Sequence, residues 1–163
     1  MKVRIHAGVA QGTVPAPFSK SFAHRALIGA SLADGVSTVH GIEPSEDILA
    51  TLDCARALGA RIALDGDAAT VYGGAGEPDS RFPCRESGST LRFFLPLCLL
   101  RSTSCILTGS ARLMERPQDI YESLCREQGL KFAHRVGEIE VCGPISSGNF
   151  HLRGDLSSQF FTG

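Results

Sequence analysis

The chain has 163 residues, enough for one ordinary domain with a core of its own, and its 43% hydrophobic and 20% charged residues are typical of a globular protein. With a net charge of −1, no global field draws it to nucleic acid or an anionic membrane, so any anion site must be a local concentration of positive charge. The longest apolar run, Phe93 to Leu100, is interrupted by Pro96 and is far too short to span a bilayer.

Residues 1–10 carry Lys2 and Arg4 but no apolar stretch of the secretory kind, so a cytoplasmic location is expected. Periodicity then gives the elements in order. Ser19 to Leu32 reads as a helix, with apolar residues at 22, 23, 26, 27 and 30. Val36 to His40 is a short β-branched strand. Ser45 can cap a helix from Glu46 to Leu58, with acids in its first turn and Gly59 as its stop. Arg61 to Leu64 and Ala69 to Tyr72 form a hairpin around Asp65-Gly66.

The order then returns. Ser89 to Leu100 is helical, apolar nearly all round and therefore interior, with Pro96 expected to kink it or remove a hydrogen bond. Ser104 to Thr108 is a strand. Pro117 opens a helix that stops at Gly129, and Lys131 to Val136 pairs with Ile139 to Cys142 across Gly137-Glu138. Gly59 and Gly129, like Gly73 and Gly143, are 70 residues apart (129 − 59 and 143 − 73). A third unit opens at about Phe150 with Ser157-Ser158-Gln159 and is cut at Gly163. A unit of helix, strand, helix and hairpin, preceded by a short extended segment, cannot bury both faces alone. The expectation is therefore a fragment, or a chain that completes its core on a partner.

The six cysteines (Cys54, Cys84, Cys98, Cys105, Cys125 and Cys142) have no metal-ligand spacing and mostly fall at apolar positions, which predicts buried, reduced thiols. His6, His24, His40, His134 and His151 are expected to be structural or exposed. The chemistry is expected at the helix starts, where free N–H groups and the helix dipole favour anions. These starts are Ser19-Lys20-Ser21, Gly88-Ser89-Thr90 and Ser157-Ser158-Gln159. Lys20, Arg25 and Arg116 add charge, with Ser21 and Arg25 on one helical face. Arg92, one turn into an apolar helix, is a cation that needs a partner, either structural or in the site. Asp47 is read as a helix-start carboxylate that could also face the site.

These residues resemble a known family. Ser19-Lys20-Ser21 with Arg25-Ala26-Leu27 is similar to the first motif of the 5-enolpyruvylshikimate-3-phosphate synthases. Glu86 to Phe93 resembles their glycine-containing second motif. Leu107-Thr108-Gly109 with Met114-Glu115-Arg116-Pro117 resembles the third, and Ser157-Ser158-Gln159-Phe160 the fourth. The resemblance runs in order along the chain and covers about two-fifths of the family's length. It implies an inside-out α/β barrel built of βαβαββ repeats. Residues 1–13 would belong with a second domain, 14–80 and 81–148 would be two complete units, and 149–163 a truncated third.

It also implies transfer of the enolpyruvyl group from phosphoenolpyruvate to the 5-hydroxyl of shikimate 3-phosphate, releasing phosphate, with no metal or organic cofactor. By the resemblance Lys20, Gly88, Arg116 and Gln159 would contact phosphoenolpyruvate, with Lys20 the one catalytic candidate in this chain. Ser21, Arg25, Ser157 and Ser158 would hold shikimate 3-phosphate. Glyphosate sensitivity is expected because Gly88 leaves room beside the donor pocket. The family's acid/base carboxylates and a further lysine lie outside this chain, which is therefore expected not to turn over alone. The family is expected to be monomeric, with the fragment open to self-association, and no nucleic-acid or membrane partner is implied.

The chain departs from the pattern at Ala16-Pro17-Phe18, where many members have Pro-Gly. Glu86 stands where many have Asn, and Ser89 where many have Thr. The related UDP-N-acetylglucosamine enolpyruvyl transferases use Lys-Asn at the first motif and a cysteine in the loop before the third motif's Arg-Pro. Here the pair is Lys20-Ser21, and Gly109 to Arg116 holds no cysteine. A phosphate-binding module without catalysis is the alternative of another class.

Overall fold

The computed structural model describes every residue except Met1, Ile5, Ala7, Ala10 and 153–156. Helix α1 (Lys20–Leu32) leads into strand β1 (Gly35–His40), helix α2 (Glu46–Ala57) and the hairpin of β2 (Arg61–Asp65) and β3 (Ala68–Gly73). Strand β4 (Arg81–Pro83) opens a second run of α3 (Gly88–Leu99), β5 (Cys105–Thr108), α4 (Ala111–Met114) and α5 (Asp119–Glu127). The hairpin of β6 (Lys131–Arg135) and β7 (Glu138–Cys142) completes that run, and a single helical turn, α6 (Gln159–Thr162), follows near the end.

The strands form two sheets. The first is antiparallel, ordered β1-β3-β2, and the second is mixed, ordered β4-β5-β7-β6, with β4 parallel to β5. Alternation in β3 and β7 turns Ala69, Val71, Ile139 and Val141 inward, all fully buried. Ser19 and Ser87 cap α1 and α3, accepting from the N–H of Phe22 and Thr90 at 3.4 and 3.2 Å.

The repeated glycines have physical causes. Gly59 and Gly129 follow α2 and α5 with φ of +103° and +67°, the left-handed conformation that ends helices. Gly73 ends β3 and Gly143 follows β7, where the chain passes hard against the C-terminal ends of α1 and α3 and has no room for a side chain.

Helix α3 is the centre of the larger core. Leu91, Phe94, Leu95, Cys98 and Leu99 are fully buried among Phe82, Leu107, Ile139 and Val141, each large side chain contributing about 1.5–3 kcal/mol by its removal from water. Pro96 stands inside this helix. It has no N–H to give the carbonyl four residues back, Arg92, and the Tyr121 hydroxyl donates to that carbonyl instead, at 2.8 Å. All six cysteines are free thiols, and all but the half-buried Cys142 are buried.

Several expectations need correction. The helix expected from Pro117 begins at Asp119, because Gln118 is non-helical at φ −125°, ψ 23°. The loop before it contains α4, a helix too short for periodicity to reveal, capped by Ser110. Ser45 precedes α2 but makes no side-chain cap, and its Oγ is buried without a hydrogen-bond partner. Of the extended segments expected before the first two runs, only the second forms a strand among the described residues, β4. Before α1, Pro15 and Pro17 have no N–H to donate, and the described residues from Lys2 to Phe18 are exposed and form no strand. Among the described residues no helix is long and apolar enough to cross a membrane.

Candidate functional site

The helix starts converge. Lys20, opening α1, pairs with Asp47 in the first turn of α2 at 3.5 Å. The carbonyl of Asp47 in turn accepts from the Thr90 hydroxyl at the start of α3, at 3.4 Å. Gln159, opening α6, donates from its amide to the Ser89 hydroxyl at 2.8 Å and accepts from Arg92 Nη1 at 2.7 Å. Arg25, one turn into α1, donates to the Ser21 carbonyl and to the Thr162 hydroxyl, both at 2.8 Å. Asp47, read first as a helix-start carboxylate, is thus also the partner of the lysine.

At the centre lies Gly88. A Cβ built there would sit 2.5 Å from Arg116 Nη1, so the guanidinium rests directly on the glycine and fills the room expected beside it. Arg92 points to the same place, its Nη1 4.0 Å from that Cβ position. It is stacked over the Phe160 ring at 4.8 Å, and its Nε is buried without a partner. Burial, followed by the neighbouring charge of Arg116, pulls the Arg92 guanidinium below its ordinary pKa. Two guanidiniums, a glycine at a helix start and an amide side chain therefore share one face.

Ser157 and Ser158 serve the short helix. Ser157 Oγ accepts from the Gln159 N–H at 3.3 Å, and the Ser158 carbonyl accepts from the Thr162 hydroxyl at 3.4 Å. The site cations Lys20 and Arg116 are exposed, whereas Gly88 is buried and Gln159 half-buried. The structure thus brings Gly88, Arg92, Arg116 and Gln159 into one cluster. Lys20 stands on Asp47, and Ser21 and Arg25 stand with Thr162.

Beneath the site runs a buried chain of polar side chains that the sequence did not reveal. His24 Nδ1 lies 2.6 Å from Thr51 Oγ1, Thr51 lies 2.7 Å from Thr90 Oγ1, and Thr90 lies 2.7 Å from Ser87 Oγ. It ties α1, α2 and the cap of α3 together. Burial holds the His24 ring below its ordinary pKa of 6.5; Asp47 opposes the shift, and Arg25 and Lys20 reinforce it. Between the folded and unfolded pKa values the unfolded ring binds a proton that the folded one does not. Stability therefore rises with pH through this window and is lost as pH falls. Wild-type unfolding free energy should drop more than that of His24→Asn between about pH 7 and about pH 5 in urea titrations. Equal slopes would remove His24 from the account.

A second feature without a sequence signal is Arg85. It is the one non-glycine residue with positive φ, +52°, among the described residues, a conformation that costs about 1 kcal/mol or more. Its Nε and Nη2 donate to Asp53 Oδ2 at 3.0 and 2.7 Å, and its Nη1 to Glu46 Oε2 at 2.9 Å. Among the described residues no group of three or more His, Cys, Asp or Glu side chains is arranged to hold a metal ion.

Comparisons with known proteins identify the family. The family profile described as "EPSP synthase (3-phosphoshikimate 1-carboxyvinyltransferase)" matches residues 6–163. A 3-phosphoshikimate 1-carboxyvinyltransferase of Clostridium beijerinckii is 39% identical over 99% of this chain and 40% of its own length. One of Clostridium perfringens strain SM101 is 37% identical over 99% of this chain and 39% of its own length. The chain thus spans about two-fifths of the length of these relatives. A solved EPSP synthase of Acinetobacter baumannii superimposes on 93% of this chain and 36% of its own, with a TM-score of 0.78 at 24% identity, and so supports the fold. The chain belongs to the EPSP synthase family.

Proposed function

We propose that this chain supplies the first part of the substrate site of a 3-phosphoshikimate 1-carboxyvinyltransferase. That enzyme moves the enolpyruvyl group of phosphoenolpyruvate onto the 5-hydroxyl of shikimate 3-phosphate and releases phosphate. The observation that carries this reading is the cluster of Arg116 and Arg92 at Gly88. Two guanidiniums repel each other on one face, and an anion bound between them and the start of α3 relieves that repulsion. Phosphoenolpyruvate, with a phosphate and a carboxylate, suits Lys20, Gly88, Arg116 and Gln159. Shikimate 3-phosphate suits Ser21, Arg25, Ser157 and Ser158; in support, Arg25 joins the Ser21 carbonyl to Thr162, whose hydroxyl reaches the Ser158 carbonyl. Charged contacts to both polyanions would set the hydroxyl against the enol carbon, and positioning of this kind supplies much of the rate in such transfers.

The finer architecture is part of the proposal. Units 14–80 and 81–148 would be two βαβαββ repeats of an inside-out barrel, with 149–163 opening a third and 1–13 belonging to a second domain. In the whole protein that domain would close over the exposed cations, bring the remaining acid/base groups and make the cleft the locus of glyphosate sensitivity.

The test is titration of the 15N-labelled 163-residue chain, first with shikimate 3-phosphate and then with phosphoenolpyruvate. Saturable amide shifts are expected at Ser21, Ser157 and Ser158 with the first ligand, and at Gly88 and Gln159 with the second. Shifts confined to other surfaces, or none at millimolar ligand, would overturn the assignment. The same chain given both ligands is expected to release no phosphate.

A further inference from the structure

We propose that Arg85 is a positioning residue for the anion-binding half of the site, a tether that sets the spacing between Gly88 and Arg116. The inference rests on the function proposed above and adds a residue outside the motifs that suggested it.

Arg85 sits in the turn Cys84–Ser87, closed by the Ser87 N–H donating to the Cys84 carbonyl at 2.9 Å. A positive φ at a central position of such a turn is ordinarily left to glycine. Here a long cation occupies it, so the surroundings must hold it there. The side chain crosses to α2, where two donors grip one oxygen of Asp53 and a third reaches Glu46. Glu46 is 74% exposed and contributes little, whereas Asp53 is 29% exposed and takes the two-pronged contact that a guanidinium makes and an ammonium cannot.

The backbone of Arg85 acts in two directions. Its carbonyl accepts from the Ser110 N–H at 2.8 Å, and Ser110 caps α4, the element that leads to Arg116. The neighbouring Gly109 lies so close that a Cβ there would stand 2.9 Å from the same carbonyl. Toward the other end, the turn delivers Ser87, the cap of α3, and then Gly88. Gly88 and Arg116 are thus both referenced to one residue, which is itself pinned to α2. The first turn of α2 also carries Asp47, the partner of Lys20. One clamp therefore registers the three groups assigned to phosphoenolpyruvate that flank the start of α3.

The test compares Arg85→Gly, Arg85→Lys and Asp53→Asn in the 163-residue chain. Glycine is at ease at this φ, so Arg85→Gly should melt no lower than wild type while removing the tether. In the absence of ligand, amide exchange at Ser110 and Thr90 is expected to rise about tenfold in Arg85→Gly and Asp53→Asn, with Val71 in the other sheet unchanged. Phosphoenolpyruvate affinity, titrated well below each melting midpoint, should fall about tenfold in both. In exchange and affinity, though not in melting, Arg85→Lys should resemble Arg85→Gly, since a point charge cannot restore the fork.

Unchanged protection at Ser110 and Thr90 in Arg85→Gly and Asp53→Asn overturns the tether, as does protection lost equally at Val71. If Arg85→Gly fails to fold, Asp53→Asn, which keeps the arginine, decides by the same measurements. Should exchange respond as expected while wild type shows no phosphoenolpyruvate shift at Gly88, the tether stands and the functional reading falls.

Discussion

Gly73→Ala and Gly143→Ala are each expected to destabilise the chain by about 3 kcal/mol, lowering its melting midpoint by roughly 6–12 °C. A Cβ on Gly73 would collide with the Ala33 carbonyl oxygen and stand 2.8 Å from that of Ala30. On Gly143 it would collide with the Leu99 carbonyl oxygen and stand 2.9 Å from that of Arg101. The obstacles are backbone atoms at the ends of α1 and α3, which cannot swing aside as a side chain can. At Gly143 the approach is fixed by hydrogen bonds from the Gly143 N–H to the Arg101 carbonyl at 3.1 Å and from the Ile145 N–H to the Leu99 carbonyl at 2.8 Å. Relief would pull the strand end off the helix and open the core beneath.

Two further glycines give the comparison its meaning. Gly129→Ala meets nothing within 4 Å and carries only the strain of φ +67°, about 1 kcal/mol. Gly29→Ala, in the open on α1, should stabilise by up to about 1 kcal/mol. Denaturant unfolding of the four variants checks the ranking. If Gly73→Ala loses no more than Gly129→Ala, close strand–helix packing does not explain the repeated glycine.

What the sequence disclosed and what it hid divide along a physical line. Leu27, Ile48 and Val71 fall on periodic faces and Leu91 on a helix apolar nearly all round, and all four are buried, because local pattern and tertiary burial ask for the same residue. Gly59 and Gly129 were legible as stops because a left-handed helix end favours glycine. The 70-residue recurrence of Gly73 and Gly143 was visible as a count, but its cause, a helix end pressed on a strand end, is a contact between elements. The helix starts that carry Gly88 and Gln159, with Arg116 adding charge, were legible as a candidate anion site, whereas their assignment to one ligand came only from the family resemblance. The tether of Arg85 had no signal at all. An arginine at a left-handed turn position contradicts local preference, and only Asp53 and Glu46, distant in sequence, make it possible. His24, one histidine among five, became distinctive only when Thr51 and Thr90 were brought to it.

Gly88→Ala is expected to weaken phosphoenolpyruvate binding about ten- to a hundredfold, the loss of one charge-assisted contact, while changing stability by less than about 1 kcal/mol. The reason is the identity of the atom in the way. The new methyl would lie 2.5 Å from Arg116 Nη1, the far end of an exposed and flexible side chain, and no backbone atom is within reach. Gly88 opens α3 without a positive φ, so alanine suits the backbone there, and the whole consequence passes to the guanidinium. Arg116 would leave the start of α3, and Arg92, held by Gln159 and Phe160, could not replace it.

A double-mutant cycle with Arg116→Ala reads this directly. If the methyl acts by displacing Arg116, the double variant should bind no worse than Arg116→Ala alone, because the contact can be lost only once. Calorimetric titration of phosphoenolpyruvate into the four proteins gives the coupling. Additive losses would mean that the Gly88 backbone meets the ligand independently of Arg116, and the two would then be separate contacts rather than one clamp.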